Sequence, residues 1–162
     1  MAEALRRYRP LAYMQGPGTV DGGDVLRIGR TLYVGTTARS TDEGHAELRA
    51  LVAPYGYRVQ SVAVDGCLHM KSACGAIGEG TVLVHRPWVD ASAFEDVELV
   101  DVPASEAWAA NAIFVNGATV VSSAFPETAD MLEGRGFDVR RVDVSELHKA
   151  EGGVSCLSVL IQ

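Results

Sequence analysis

The sequence predicts an α/β fold assembled from about three ββαβ modules, and three observations carry that reading. The segment Gly56-Tyr57-Arg58-Val59 through Val64 recurs as Gly136-Phe137-Asp138-Val139 through Val144, a constant offset of 80 residues. Each copy follows the same signals in the same order: a hairpin turning at Gly29-Arg30 or at Asn116-Gly117, then an amphipathic run. A shortened copy lies between them. Periodicity on this scale marks units that bury their faces against one another.

In chain order, an N-terminal helical stub (Ala2 to Arg9) is followed by a first module at about 19–64. Its hairpin spans Asp24 to Gly35, and its helix follows a cap at Thr41 with Asp42 and Glu43. Leu48, Leu51 and Val52 recur at helical spacing, and Gly56 ends the run. The middle module, about 69–103, turns at Glu79-Gly80 and keeps only a turn of helix at Asp90 to Phe94 before the strand Val97 to Val102. The third, about 111–144, turns at Asn116-Gly117, the strongest short hairpin signal. Its helix carries Ala129, Met131 and Leu132 and ends at Gly136. A last strand is expected from Cys156 to Gln162, its core at 154–161, after a loop opened by Gly152-Gly153.

Of the 162 residues, 48% are hydrophobic and 22% charged, the balance of one globular domain with a real core. No run approaches the roughly 20 apolar residues of a membrane helix, and the N-terminus lacks a signal-peptide pattern, so a cytoplasmic protein with no membrane partner is expected. The net charge of −7, with Lys and Arg scattered, excludes the footprint of a nucleic-acid binder. A small cationic substrate suits such a protein. Three cysteines, Cys67, Cys74 and Cys156, leave at least one free thiol.

Four clusters hold residues fit for chemistry. Asp21-Gly22-Gly23-Asp24 reads either as a turn or as carboxylates delivered to a site at the head of a strand. The others are Arg39 with its neighbours, Cys67-Leu68-His69-Met70-Lys71-Ser72, and Gly152-Gly153-Val154-Ser155-Cys156. A catalytic thiol needs a base, because a free thiol with a pKa near 8.5 stays mostly protonated at neutral pH. His69 is the best candidate by context. His45 is expected on the exposed face of a helix, His85 at a strand end and His148 in a polar loop. Zinc is the competing reading of Cys67, His69, Cys74 and Cys156, but Cys-x-His-x4-Cys lacks the paired knuckle that zinc sites favour, so no metal is expected.

Together and in order, Asp21-Gly22-Gly23-Asp24-Val25-Leu26, Leu68-His69-Met70-Lys71-Ser72, and Glu151-Gly152-Gly153 through Cys156-Leu157-Ser158-Val159-Leu160 resemble the dimethylarginine dimethylaminohydrolase family. That family lies within the guanidine-modifying enzymes, alongside arginine deiminases and amidinotransferases. The resemblance spans Thr19 to Ile161 and implies the C-terminal, catalytic part of a five-module α/β-propeller of pentein type, here incomplete. It implies Cys156 as the nucleophile, His69 as acid and base, and Asp21 as the residue that holds the guanidinium and orients His69. Arg39 is implied for the substrate's α-carboxylate, although the usual Arg-Thr-Asn reads Arg-Ser-Thr. Glu151, where the family has Asp, and the backbone of Ala150 are implied beside the guanidinium. The deiminases' acid two residues after the histidine is Lys71 here, which favours the dimethylarginine branch. Hydrolysis of a methylated arginine to citrulline, without cofactor, follows as the expectation, with a deiminase, an amidinotransferase or a non-catalytic binding module as alternatives. Two modules short of a ring, the chain is expected either to be completed by N-terminal modules or to form a homo-oligomer, a dimer first of all.

Overall fold

The computed structural model describes residues 2–161. Within them, three three-stranded sheets repeat one topology, in which an antiparallel hairpin is extended by a third strand parallel to the hairpin's second. The first sheet joins β1 (Val25–Ile28), β2 (Thr31–Thr36) and β3 (Arg58–Ala63), and the second joins β4 (Cys74–Gly78), β5 (Thr81–Val84) and β6 (Glu98–Asp101). The third joins β7 (Ile113–Val115), β8 (Ala118–Ser122) and β9 (Val139–Val142). The helices are α1 (Ala2–Leu5), α2 (Asp42–Val52), α3 (Met70–Ala73), α4 (Pro126–Gly134) and α5 (Ser145–His148). These are ββαβ modules, the middle one reduced to two single turns at Arg86–Trp88 and Ala91–Ala93.

Local chemistry accounts for the elements. Asn116 and Gly117 both take positive φ, 51° and 82°, which is what a two-residue loop needs to match the twist of β7 and β8. Thr41 caps α2 by accepting a bond from Gly44 N at 3.2 Å. The first turn of α4 has no cap from its own chain segment; instead Glu106, buried, accepts from Glu127 N at 3.0 Å and Thr128 N at 2.7 Å. A carboxylate suits the positive end of a helix, and this one also ties the segment before β7 to the helix after β8.

The core lies in the two seams between modules. One cluster joins Leu26, Tyr33 and Val62 to Met70, Val82, Val84 and Phe94; the other joins Ile77, Leu83 and Val100 to Val121, Ala129 and Leu132. The second sheet is therefore covered on both faces. This is why Val82-Leu83-Val84 is an unbroken apolar run rather than an alternating one, and these three residues are buried together with Thr81.

Two expectations are corrected. His45 lies in α2, but the face it occupies is buried: its Nδ1 pairs with Ser61 Oγ at 2.8 Å and its Nε2 with Gly35 O at 3.2 Å. An imidazole with both nitrogens satisfied is at home in a core, and helix periodicity alone does not reveal those partners. The last strand does not form either. Residues 154–157 turn, and 158–161 join no ladder; Gln162 lies outside the described residues. A strand exists only against a neighbour's backbone. This tail instead borders a groove of about 920 Å³ between β1 and β7, and Leu157, Val159, Leu160 and Ile161 stay exposed.

The seam between the second and third modules depends on a glycine. A Cβ at Gly75 of β4 would lie against Ala112 O and 2.7 Å from Ala110 O, both rigid backbone, whereas one at Gly78 would meet a Phe137 ring edge at 3.4 Å and the Thr81 side chain at 3.6 Å, both ordinary contacts. Gly75→Ala is expected to cost about 2 kcal/mol by overpacking, and Gly78→Ala under about 1 kcal/mol. Urea unfolding checks this, and equal costs would refute it.

Candidate active site

The turn before β1 separates its two acids. Gly22–Asp24 is a single 3-10 turn capped by Asp21, whose Oδ1 accepts from Gly23 N at 2.8 Å. Asp24 points inward and is wholly buried, accepting from Thr37 Oγ1 at 2.7 Å, Ser40 Oγ at 2.7 Å and Met70 N at 2.9 Å. Asp21 points outward. Its Oδ1 lies 3.6 Å from His69 Nε2 and its Oδ2 3.4 Å from Arg39 Nη1. The Gly23 N–H holds the Asp21 carboxyl below the usual carboxylate range; burial opposes this, and the His69 and Arg39 charges reinforce it.

His69 occupies the N-cap position of α3, in extended backbone. Its ring lies against Gly23 so closely that a Cβ there would sit 2.7 Å from ring carbons, and its Nδ1 is buried without a hydrogen-bond partner among the described residues. The next residue, Met70, is the one bonded to Asp24, so the backbone that carries the imidazole is anchored one residue away.

Cys156 sits half-buried in the 154–157 turn. Its sulfur accepts from Gly153 N at 3.1 Å and from Asn111 Nδ2 at 3.5 Å. The same Nδ2 donates to Lys71 O at 2.9 Å, tying the cysteine loop to α3. Burial draws the Lys71 ammonium below its usual value; charges at Cys156, Cys74, Asp21 and Asp24 pull the other way. The other two thiols differ in kind. Burial pushes Cys67 up to about 11 and raises Cys74 further, and each donates to a backbone carbonyl, His69 O and Met70 O.

The structure thus brings His69 and Arg39 into contact with Asp21, and links Cys156 to the helix that His69 opens through the Asn111 amide. His69 and Cys156 share no hydrogen bond. Glu151, with φ of 55°, and Ala150 are exposed in the loop after α5 and make no hydrogen bond or ion pair with Asp21, His69 or Cys156. Glu151 borders a cavity of about 260 Å³ walled by Trp108, Phe125 and His148. Among the described residues no three His, Cys, Asp or Glu side chains converge as a metal site would require. Sequence reasoning missed Asn111. The signal was present in the repeat, since Asn111 precedes β7 as the Asp21–Asp24 turn precedes β1 and His69 precedes β4.

No family-level sequence profile matches the chain. Individual proteins do. The chain is 31% identical over 159 residues to the N(G),N(G)-dimethylarginine dimethylaminohydrolase of Pseudomonas aeruginosa, covering 97% of this chain and 63% of that protein. It is 41% identical over 147 residues to the one from Streptomyces coelicolor, covering 90% and 56%. The crystal structure of a cysteine-to-serine variant of the Pseudomonas aeruginosa enzyme with citrulline superimposes with a TM-score of 0.88 at 29% identity, over 96% of this chain and 62% of that one. The chain is similar to N(G),N(G)-dimethylarginine dimethylaminohydrolases. It spans less than two thirds of the length of these relatives. An amidinotransferase from Microseira wollei, at 15% identity and a TM-score of 0.76, shares the pentein-type fold alone.

Two outcomes follow from the geometry. Gly23→Ala is expected to displace the His69 ring and move its imidazole NMR signals, while the overall fold persists by circular dichroism; unmoved signals would refute the packing. Because the folded Asp21 carboxyl titrates below its unfolded value of about 3.9, it contributes stability above that pH that is lost as pH falls through the folded value. Urea unfolding should therefore show the difference between wild type and Asp21→Asn shrinking on acidification, and a constant difference would contradict it.

Proposed function

We propose that this chain carries the catalytic machinery of a cysteine-dependent hydrolase that converts Nω-methylated arginine to citrulline and dimethylamine. The observation that carries the reading is that the Asp21–His69 pair and the donor-held Cys156 thiol are anchored to one short helix, α3. The names of its relatives supply the substrate class.

In this reading Cys156 attacks the guanidinium carbon as thiolate, and the C=N electron pair moves to nitrogen. His69 gives a proton to the departing dimethylamine, leaving a thiouronium on sulfur. Water, deprotonated by His69, then adds to the same carbon, and collapse expels the Cys156 thiolate and frees citrulline. Thiolate, imidazole, carboxylate and water supply every bond change, so the reaction calls for no metal or organic cofactor. Asp21 holds the planar cation and orients His69. A detail supports that role: Asp21 already holds a guanidinium, that of Arg39. Substrate would replace it and release Arg39 to the α-carboxylate, while Glu151 and the Ala150 backbone border the far edge of the guanidinium.

The working form is an assembly, either a homo-oligomer, a dimer first of all, or a ring completed by further modules. The exposed apolar tail 157–161 and the groove it borders are surface of the kind that association removes. Free thiols at all three cysteines fit a cytoplasmic setting.

Incubation with asymmetric dimethylarginine is expected to release citrulline and dimethylamine in equal amounts, with Cys156→Ser or His69→Ala lowering the rate at least about 1,000-fold. Release of ammonia from arginine instead would move the assignment to a deiminase. A haloacetamidine should label Cys156 before Cys67 or Cys74, as mass spectrometry would detect. Sedimentation at low micromolar concentration is expected to give a multiple of the 17.2 kDa chain mass, and a stable monomer would refute self-assembly.

A further inference from the structure

The cavity beside the cysteine loop stands apart from the contacts among Asp21, His69 and Arg39. It encloses about 260 Å³, and Trp108, Phe125, His148 and Glu151 line it together with Asn111 and Gly153. A space below the roughly 300–1,000 Å³ of sites for drug-sized molecules calls for a small occupant. Rings form much of its wall. Trp108, a large side chain left 49% exposed, is braced by Trp88, the ring centroids 4.7 Å apart. Phe125 pairs with the His148 imidazole at 5.7 Å.

The charge at its border is a carboxylate. Glu151 lies in left-handed backbone, with φ of 55°, which is uncommon for a residue with a side chain. Its N–H closes on His148 O at 3.1 Å and that of Gly152 on Leu147 O at 2.9 Å, so the turn that presents the side chain is fixed. Among the described residues the Glu151 carboxylate has no hydrogen-bond or ion-pair partner, and the Lys149 ammonium is taken by Glu146 at 2.7 Å. The faces of aromatic rings carry negative charge density, so the rings and the carboxylate select the same kind of ligand, a cation. The Asn111 amide is already engaged with Ser155 N and Lys71 O. Acceptors are therefore few. A cation rich in N–H groups would leave donors unmatched against the rings, whereas N-methyl groups bury apolar surface there and need no acceptor.

We propose that this cavity is a binding site for a small N-methylated cation, with Trp108 and Phe125 as its aromatic walls and Glu151 as its counter-charge. The assignment stands on the cavity and not on the reaction. Its place gives it a use under the proposed function. Two lining residues, Asn111 and Gly153, have N–H groups 3.5 Å and 3.1 Å from the Cys156 sulfur, so the space adjoins the nucleophile. A dimethylamino group stands two bonds from that sulfur once the guanidinium carbon is attached to it. When the C–N bond breaks and nitrogen takes the His69 proton, the freed dimethylamine takes a further proton from water and occupies the cavity as dimethylammonium. Unmethylated arginine would set bare N–H groups against the same rings, so the cavity also favours the methylated substrate.

The test is titration of the whole chain with tetramethylammonium chloride, read by tryptophan fluorescence, with sodium chloride at the same concentrations as control. It needs neither substrate nor turnover. A saturable change is expected with tetramethylammonium and none with sodium. Glu151→Gln, which keeps the shape and removes the charge, should weaken binding about fivefold. Phe125→Leu, which keeps an apolar wall and removes the ring, should weaken it at least about threefold. Cys156→Ser, which leaves the rings and the carboxylate in place, should bind as wild type does. If Phe125→Leu does not fold, the exposed Glu151→Gln carries the test. No saturable change, an equal response to tert-butanol, which has nearly the same shape without the charge, or an unchanged affinity in Glu151→Gln would overturn the proposal. A chain inactive on dimethylarginine that still binds the cation would support the site and overturn only the substrate assignment, and an active chain that binds no cation would overturn the site alone.

Discussion

A carboxylate withdrawn from water costs several kcal/mol unless donors match its oxygens, and Asp24 is matched on both. Its three donors come from two separate pieces of chain: Thr37 and Ser40 at the exit of β2, and Met70 at the first residue of α3. Asp24 itself stands at the foot of β1. One buried anion therefore clamps the first module's entry turn, its β2–α2 connection and the entry helix of the second module. Three polar residues of the site are near neighbours in sequence of those groups. Asp21 lies three residues before Asp24, Arg39 lies between Thr37 and Ser40, and His69 directly precedes Met70. The outward-facing residues inherit their positions from the inward-facing clamp.

The seam between the second and third modules repeats the device with a neutral group. Asn111 takes the carbonyl of Lys71, in α3, and hands the other end of its amide to Ser155 in the cysteine loop. Helix α3 has only four residues, far too few to persist on intrinsic propensity. It is held at Met70 N by Asp24 and at Lys71 O by Asn111. The position of so short a helix is set by its neighbours, and here those neighbours are the entry segments of the first and third modules.

Most of the repeat was legible in the sequence, because turns, caps and helical spacing are local. The offset between Gly56 and Gly136, the Asn116-Gly117 turn and the Thr41 cap each depend on a few adjacent residues, and each stands where the pattern predicts. The site was half legible. Asp21 and Asp24 look alike in sequence, as acids flanking a glycine pair, and only the donors that converge on Asp24 from 13 to 46 residues away distinguish clamp from functional group. His45 hid for the same reason, since its partners Ser61 and Gly35 lie on strands that no helical pattern brings into view. Residues 156–161 misled in the opposite sense: their apolar composition suits a strand, but a strand also requires an edge to pair with, which composition does not encode.

The contact between Arg39 and Asp21 bears on how an acidic protein keeps such a site intact when no ligand is bound. Asp21 is held below the usual carboxylate range chiefly by the Gly23 N–H, so it stays charged whether or not a cation is present. An ionised carboxylate less than half exposed attracts whatever guanidinium is near, and Arg39, itself half exposed on a short loop, is near. The pair is long for a charge-assisted bond and is open to solvent, so it contributes little. A weak internal contact is what exchange would require: under the proposed function an incoming guanidinium would replace one carboxylate partner with another of the same geometry, and the displaced Arg39 would become available to an anionic group at the other end of the same molecule. Recognition of a zwitterionic ligand would then be coupled at its two ends through a single side chain.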